Sequence, residues 1–289
     1  MIPPKFEYLA PASLSEAAEF LASHPGDAKL LAGGQSLIPV LKLRLASPAF
    51  LVDLGRIGGL STIREEPGAG GKPGTIAIGA MTTYAEIKQS ALLRQKCPLL
   101  SHTVAVVADV QVRNRGTLGG SLAHADPSAD MPAAVLALGG ELKAVGPKGE
   151  RWIKVADYFK GMFATALTPE EILTEIRVPV LTGQGSAYLK AARRATDFAL
   201  VGVAVRMRVG KDERCEEISI GVTGVTDRAY RPVGVERALQ GKRLEPKAIE
   251  EAASTVVQGV DVMGNIHGSA EYRAHVARVY VARAIAAAR

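Results

Sequence analysis

Cysteine is almost missing from this chain of 289 residues: only Cys97 and Cys215 occur, far apart. Two such thiols give no disulfide framework and fit a reducing cytoplasm. They also exclude an iron–sulfur cluster held by this chain alone, since that usually takes four cysteine ligands. Long apolar runs are absent too, and the start, Met1-Ile2-Pro3-Pro4-Lys5-Phe6, lacks the charged-then-apolar pattern of an export signal. A soluble, cytoplasmic protein without a transmembrane segment is therefore expected.

Several chemical signatures are missing as well. There is no Gly-x-Gly-x-x-Gly, no Gly-x-x-x-x-Gly-Lys-Ser/Thr, no Cys-x-x-Cys, no His-Glu-x-x-His and no Gly-x-Ser-x-Gly. Rossmann, P-loop, zinc-protease and serine-hydrolase readings lose their support. His124 and Asp126 stand close together, but two residues make a poor metal site, and a loop hydrogen-bonding role suits them better. No metal ligand set and no catalytic base is nominated. The charge excess is small: 35 Lys and Arg against 29 Asp and Glu, a net +6. Its densest groups, Arg113-Asn114-Arg115 and Arg193-Arg194, are short and lack aromatic platforms, so no nucleic-acid partner is expected. A doubly negative cofactor, an acidic partner or a solvated face would each account for it.

What is present reads as an ordered α+β chain, 47% hydrophobic and 22% charged. Ser13 to Glu16 has capping-box spacing, and Leu14, Ala17, Ala18 and Leu21 mark one helix face. Lys29 to Ala32 reads as a short strand, Gly33-Gly34-Gln35-Ser36 as a turn, Leu37 to Leu45 as a helix with Pro39 in its first turn, and Phe50 to Leu54 as the next strand of a βαβ-like module. A boundary follows near Leu54 to Arg56. Gly68-Ala69-Gly70-Gly71-Lys72-Pro73-Gly74 then reads as a loop between strands at Gly59 to Ile63 and Thr75 to Gly79. Thr83 to Glu86 offers a second capping box, and Leu99 to Ala108 and Met131 to Leu138 read as helices. Beyond Pro179 the pattern predicts a strand meander, Ser186 to Ala192, Leu200 to Val209 and Cys215 to Val225, then helices at Pro246 to Val256 and Ser269 to Ala288.

Phosphate binding is the chemistry these residues support best. Glycine lacks a Cβ, so a diphosphate can approach backbone N–H groups, and a helix starting at Leu37 would add its positive end and the Ser36 hydroxyl. Thr117-Leu118-Gly119-Gly120-Ser121 repeats the design, so both glycine pairs are expected to offer main-chain N–H groups to one dinucleotide. Thr117 and Ser121 would donate to phosphate or ribityl oxygens, and Asp130 would accept from a ribityl or ribose hydroxyl. Taken singly, each position is as well explained by turn chemistry, and Asp130 by a helix N-cap.

Ala32-Gly33-Gly34-Gln35-Ser36-Leu37-Ile38-Pro39, together with the run Arg113 to Pro127, closely resembles the FAD-binding medium subunit of carbon monoxide dehydrogenase-type molybdenum hydroxylases. Ile78 to Thr83, Leu167 to Leu173 and Lys190 to Arg194 look like segments of the same family, so the similarity runs over essentially the whole chain. The resemblance implies a vanillyl-alcohol-oxidase-like (PCMH-type) fold: two α+β subdomains around FAD, then a C-terminal three-stranded sheet with helices, divided at 1–55, 56–178 and 179–289. It implies that Lys29 and Ala32 to Ser36 (Ala32, Gly33, Gly34, Gln35, Ser36) line the pyrophosphate. Thr117, Gly119, Gly120, Ser121 and Asp130 would contact FAD from the second loop, with Leu173 and Phe198 near the isoalloxazine ring. Many carbon monoxide dehydrogenase medium subunits carry His where Gln35 stands, a swap that backbone contacts would survive.

The implied function is electron transfer through FAD. A molybdopterin-binding large subunit and a small subunit with [2Fe-2S] clusters would be partners in a dimer of heterotrimers, and quinone or NAD the acceptor. A stand-alone FAD-dependent oxidase of the same fold and a cofactor-free interaction subunit are the rival readings.

Overall fold

The computed structural model describes residues 2–68 and 73–289. Ala69 to Lys72, the middle of the glycine-rich loop read from the sequence, lie outside these described residues. The first unit runs β1 (Glu7–Leu9), α1 (Leu14–Ser23), β2 (Ala28–Leu31), α2 (Leu37–Lys42) and β3 (Phe50–Asp53). Its three strands form a parallel sheet in the order β1-β3-β2. Helix α1 starts where the spacing predicts, because the Ser13 side chain accepts the Glu16 N–H at 3.2 Å while the Glu16 carboxylate turns back onto the Ala12 N–H at 2.9 Å. Ala17, Ala18 and Leu21 are its buried face. Helix α2 is shorter than the predicted Leu37 to Leu45. Leu43 is its C-cap, and Arg44 turns left-handed at φ 58°, which ends the helical path before Leu45.

The chain leaves this unit through a short 3₁₀ turn at Leu54–Arg56. It then forms β4 (Ile63–Glu66) and β5 (Thr75–Gly79). The strand predicted from Gly59 starts four residues later, since Gly59 has φ 82° in a turn. Helices α3 (Tyr84–Gln89), α4 (Ala91–Lys96), α5 (Pro98–Ala105), α6 (Val110–Arg115), α7 (Leu118–His124) and α8 (Asp130–Leu138) follow. The capping box at Thr83 and Glu86 is complete. Strands β6 (Glu141–Gly146) and β7 (Gly149–Lys154), a hairpin of β8 (Phe159–Gly161) and β9 (Ala164–Thr165), and β10 (Ile172–Pro179) complete the unit. Its antiparallel sheet has the order β4-β5-β10-β6-β7, so the strand latest in sequence sits in the middle.

The last unit is the predicted meander, β11 (Gly185–Ala191), β12 (Val201–Val209) and β13 (Cys215–Thr223), with helices α9 (Val233–Leu239), α10 (Pro246–Ala253) and α11 (Ala270–Ala287). Helix α9 has no counterpart in the sequence reading. All nine residues of α8 are buried, because it packs against β12 and β13 on one side and against α5, α7 and β10 on the other. An apolar helix without a polar face is what such a position requires. At Gly221 strand β13 comes so near α8 that a Cβ would lie 2.0 Å from the Ala133 carbonyl oxygen. Among the described residues no helix is long and apolar enough to cross a membrane.

The connection from β9 to β10 is stapled by charge. Arg151 donates to both oxygens of Glu171, at 2.6 and 2.8 Å, and to the Ala166 carbonyl at 2.7 Å, while the Thr168 N–H donates to Glu171 at 2.8 Å. The Arg151 hydrogen bonds, then the Thr168 amide, hold the Glu171 carboxyl below its ordinary value against the opposing effect of burial. A depressed folded value means the stabilisation is fully present at neutral pH and is lost as pH falls from the ordinary glutamate value of about 4.3 through the lower folded one. With Arg151 half-exposed, about 1 kcal/mol is at stake. Glu171→Gln will flatten the acid limb of a melting-temperature against pH curve, and an unchanged limb would show the staple to be idle.

Candidate cofactor-binding site

The first glycine turn joins β2 to α2. Among the described residues, the N–H groups of Gly33, Gly34, Gln35 and Ser36 donate to no protein acceptor. Ser36 precedes α2 without a side-chain capping bond, so its hydroxyl is also uncommitted. Gly34 has φ 75°, a conformation that strains any L side chain. Gly33, Gly34 and Ser36 are half-buried and Gln35 is exposed. A run of four unpaired N–H donors before a helix suits an anion such as a diphosphate.

The second glycine element differs from its sequence reading. It is not an open turn: Thr117 is the N-cap of α7, its side chain accepting the Gly120 N–H at 3.1 Å, and both glycines lie in the first helical turn. The Gly119 N–H donates to the Ala80 carbonyl at 2.8 Å, Leu118 N–H to Thr82 at 2.9 Å, and Ser121 N–H to Thr117 at 3.1 Å. These amides are engaged within the protein, so the expected main-chain cradle from both glycine pairs is corrected to one. A Cβ on Gly119 would lie 2.4 Å from the Ala80 Cβ, so this glycine exists for packing of α7 on the β5–α3 turn. What the second element leaves for a ligand is the half-buried Ser121 hydroxyl, since Thr117 is 3% exposed and its oxygen is committed to the cap.

The two elements nevertheless meet. A Cβ on Gly33 would lie 2.0 Å from the Arg115 carbonyl oxygen, and one on Gly120 would lie 3.7 Å from the Ala32 Cβ. Segments some eighty residues apart thus touch at a contact that requires Gly33. Tyr84 closes the rear of the site: its N–H donates to the Gly116 carbonyl at 2.9 Å, and its hydroxyl lies against Ser121. Burial pushes the Tyr84 phenol up to about 12, so it stays neutral.

Asp130 is the first residue of α8 and Ala129 is the N-cap, so the N-cap reading of Asp130 does not hold. Its side chain is 4% exposed and accepts from the Tyr188 hydroxyl at 2.6 Å and from Lys190 Nζ at 3.0 Å. Burial pushes the Asp130 carboxyl above its ordinary value, opposed by Lys190 and then by Tyr188. Burial, reinforced by Asp130, raises the Tyr188 phenol well above its own, which keeps it a donor. Both carboxylate oxygens therefore already have a donor.

The other nominated residues are spread more widely. Lys29 is exposed on β2, the strand that leads into the first turn. Leu173 is 5% exposed in the core, on β10 opposite Ala144. Phe198 is 62% exposed on the β11–β12 connection, whose base is tied by the Ala199 N–H to the Ser128 carbonyl at 3.4 Å. Helix α7, which holds the second glycine pair, packs on β10, the strand of Leu173, and the Thr174 carbonyl of that strand accepts the Ala80 N–H. Asp126 accepts the Ser128 N–H at 2.8 Å, the loop role expected of it. Tyr84 and Tyr188 were not foreseen, since an isolated tyrosine carries no motif.

Two family descriptions match this chain: "FAD binding domain in molybdopterin dehydrogenase" over residues 4–181 and "CO dehydrogenase flavoprotein C-terminal domain" over residues 186–288. The chain belongs to this flavoprotein family. Among its relatives, the carbon monoxide dehydrogenase medium chain of Hydrogenophaga pseudoflava is 40% identical over 289 residues, covering 100% of this chain and 98% of that one. The 6-hydroxypseudooxynicotine dehydrogenase complex subunit alpha of Paenarthrobacter nicotinovorans is 39% identical, covering 100% and 96%. A solved carbon monoxide dehydrogenase from Hydrogenophaga pseudoflava superposes with a TM-score of 0.95 at 41% identity, covering 100% of this chain and 98% of that chain. Quinoline 2-oxidoreductase from Pseudomonas putida 86 gives 0.92 at 35% identity, covering 100% and 98%. Family membership agrees with the architecture: the α+β, vanillyl-alcohol-oxidase-like fold with its C-terminal three-stranded sheet is the one expected.

Two substitutions test the geometry without any ligand. Gly33→Ala forces a methyl group into the Arg115 carbonyl and will cost about 1–3 kcal/mol in urea unfolding. Thr117→Ala removes the α7 cap and will cost about 1 kcal/mol. A Gly33→Ala chain as stable as wild type would mean that the two elements do not touch in solution.

Proposed function

We propose that this chain is the FAD-carrying electron-transfer subunit of a molybdenum hydroxylase. The observation that carries the reading is the meeting of a turn with four unpaired N–H groups, Gly33 to Ser36, and the start of a helix that holds the half-buried Ser121 and the buried cap Thr117. The residues fit FAD: the amides and the Ser36 hydroxyl would hold the diphosphate, with Lys29 adding positive charge along the approach. Thr117, Gly119, Gly120 and Ser121 would shape and hydrogen-bond the ribityl side, with Asp130 behind them and Leu173 and Phe198 as apolar neighbours of the ring. Family matches that divide between residues 181 and 186 support the start of a third unit near 179, in the division 1–55, 56–178 and 179–289.

The chemistry FAD supplies when bound, taking electrons singly or in pairs, suits a junction between one-electron iron–sulfur carriers in a partner and a two-electron acceptor such as quinone or NAD. The chain's own residues would bind and orient the cofactor and exclude water from it. The partners in this reading are a molybdopterin-binding large subunit and a small subunit with [2Fe-2S] clusters, in a dimer of heterotrimers; the name "medium chain" carried by relatives supports a multi-subunit enzyme. A cytoplasmic complex fits the cysteine usage.

Ser36→Ala separates binding from folding. Because the hydroxyl caps nothing, unfolding free energy will stay within about 0.5 kcal/mol of wild type. Loss of one charge-assisted hydrogen bond, about 1.5–3 kcal/mol, will weaken FAD roughly ten- to a hundredfold in a fluorescence titration. Gly34→Val will weaken it further. FAD affinity unchanged in both would refute the proposed turn, and a wild-type chain that refuses added FAD would favour an interaction subunit without cofactor.

A further inference from the structure

The loop Ala125 to Ala129 joins the end of α7 to the start of α8, and every carbonyl in it is engaged. Ala125 accepts the Phe163 N–H at 3.2 Å, Asp126 the Ala129 N–H at 3.1 Å, Pro127 the Gly224 N–H at 2.7 Å and Ser128 the Ala199 N–H at 3.4 Å. The remaining donor is a side chain. Thr223, the last residue of β13, is fully buried, and its hydroxyl lies 2.8 Å from the Pro127 carbonyl and 2.9 Å from that of Ala129, so one proton is shared between the two. Gly224 can follow it toward Pro127 only as glycine, since its φ is 82° and a Cβ would lie 2.6 Å from the Leu200 carbonyl oxygen.

This loop stands between two residues nominated for the cofactor, Ser121 on α7 and Asp130 on α8. Both bear on the Tyr84 phenol, Ser121 through a hydrogen bond and Asp130 through its charge. The side chains of the loop are small and offer little apolar surface to fix its course, so hydrogen bonds to its backbone decide it. Valine would suit a buried strand position as well as threonine does, without bringing a hydroxyl that needs a partner. We propose that Thr223 is a positioning residue for the bound cofactor: from the C-terminal sheet it fixes the Ala125–Ala129 loop, and with it the spacing of Ser121 and Asp130. The inference rests on the FAD reading above. Removing the hydroxyl takes a donor from the Ala129 carbonyl at the head of α8 and alters no side chain nominated for the cofactor.

The test compares wild type, Thr223→Val and Thr223→Ser as full chains. Deuterium exchange of the Ala125–Asp130 segment and melting temperature are measured without FAD. The FAD dissociation constant and the visible circular dichroism of the bound flavin are measured well below the melting temperature. Thr223→Val is expected to speed exchange in the segment about tenfold, raise the dissociation constant about tenfold and alter the flavin band. Thr223→Ser, which keeps the hydroxyl and loses only the methyl group, recovers exchange and affinity to within about threefold of wild type. If Thr223→Val does not fold, Thr223→Ala carries the test and must show the same weakened binding. FAD affinity and flavin band unchanged without the hydroxyl, whatever happens to exchange and melting temperature, would overturn the proposal and leave Thr223 a structural tie while the FAD reading stands. A Thr223→Ser chain that binds as weakly as Thr223→Val would overturn it too. Failure of the wild type to bind FAD would instead remove the FAD reading, and this inference with it, before any variant is compared.

Discussion

The arrangement depends on one close contact, the first glycine turn lying under the Arg115 carbonyl at Gly33. No side chain fits there, so two segments distant in sequence can share a surface only because residue 33 is glycine. The contact also divides the work between the two glycine pairs. The first turn keeps its N–H groups without protein partners, whereas the second is consumed by α7 and by the carbonyls of Ala80 and Thr82. Glycine is a poor helix former, by about 1 kcal/mol relative to alanine in a helix interior, and here two stand in the first turn of α7. At Gly119 that cost is imposed by the approach to Ala80, where alanine has no room. Similar glycine spellings therefore serve dissimilar ends: one leaves donors open, and the other lets a helix pack closely on the β5–α3 turn.

The same logic extends to the C-terminal sheet. Helix α8 is apolar around its whole circumference and is enclosed between that sheet and the central helices, so the C-terminal unit is part of the wall behind the site. Apolar packing alone would tolerate small slips between the sheet and the helix. The polar group at the start of α8 removes that freedom, because Asp130 is answered by Tyr188 and Lys190 from one strand of the sheet. A carboxylate buried this deeply would be costly if either partner were withdrawn.

The fold was legible where local chemistry sets the structure. Ser13 and Thr83 begin their helices, the β2–α2–β3 module is parallel, and the C-terminal meander has the strands predicted. It was not legible where pairing is remote. The five-stranded sheet places β10 between β5 and β6, and β10, β6 and β7 carried no local signal strong enough to be read alone. Helix α2 stopped early because Arg44 adopts a left-handed backbone, something its side chain does not announce.

For the site, the sequence by itself determined which residues were available: too few cysteines for a cluster, two glycine pairs flanked by hydroxyls, and a motif order that marks the family. Only the tertiary structure decided what each could do. Whether an amide is free for a ligand depends on which carbonyl lies opposite it, and for Gly119 that carbonyl belongs to Ala80, in another element. Whether an aspartate is a cap, a ligand or half of an ion pair depends on what reaches it, and for Asp130 the answer comes from β11. Hydrogen-bond partners are settled by distance in space, which the order of residues does not contain.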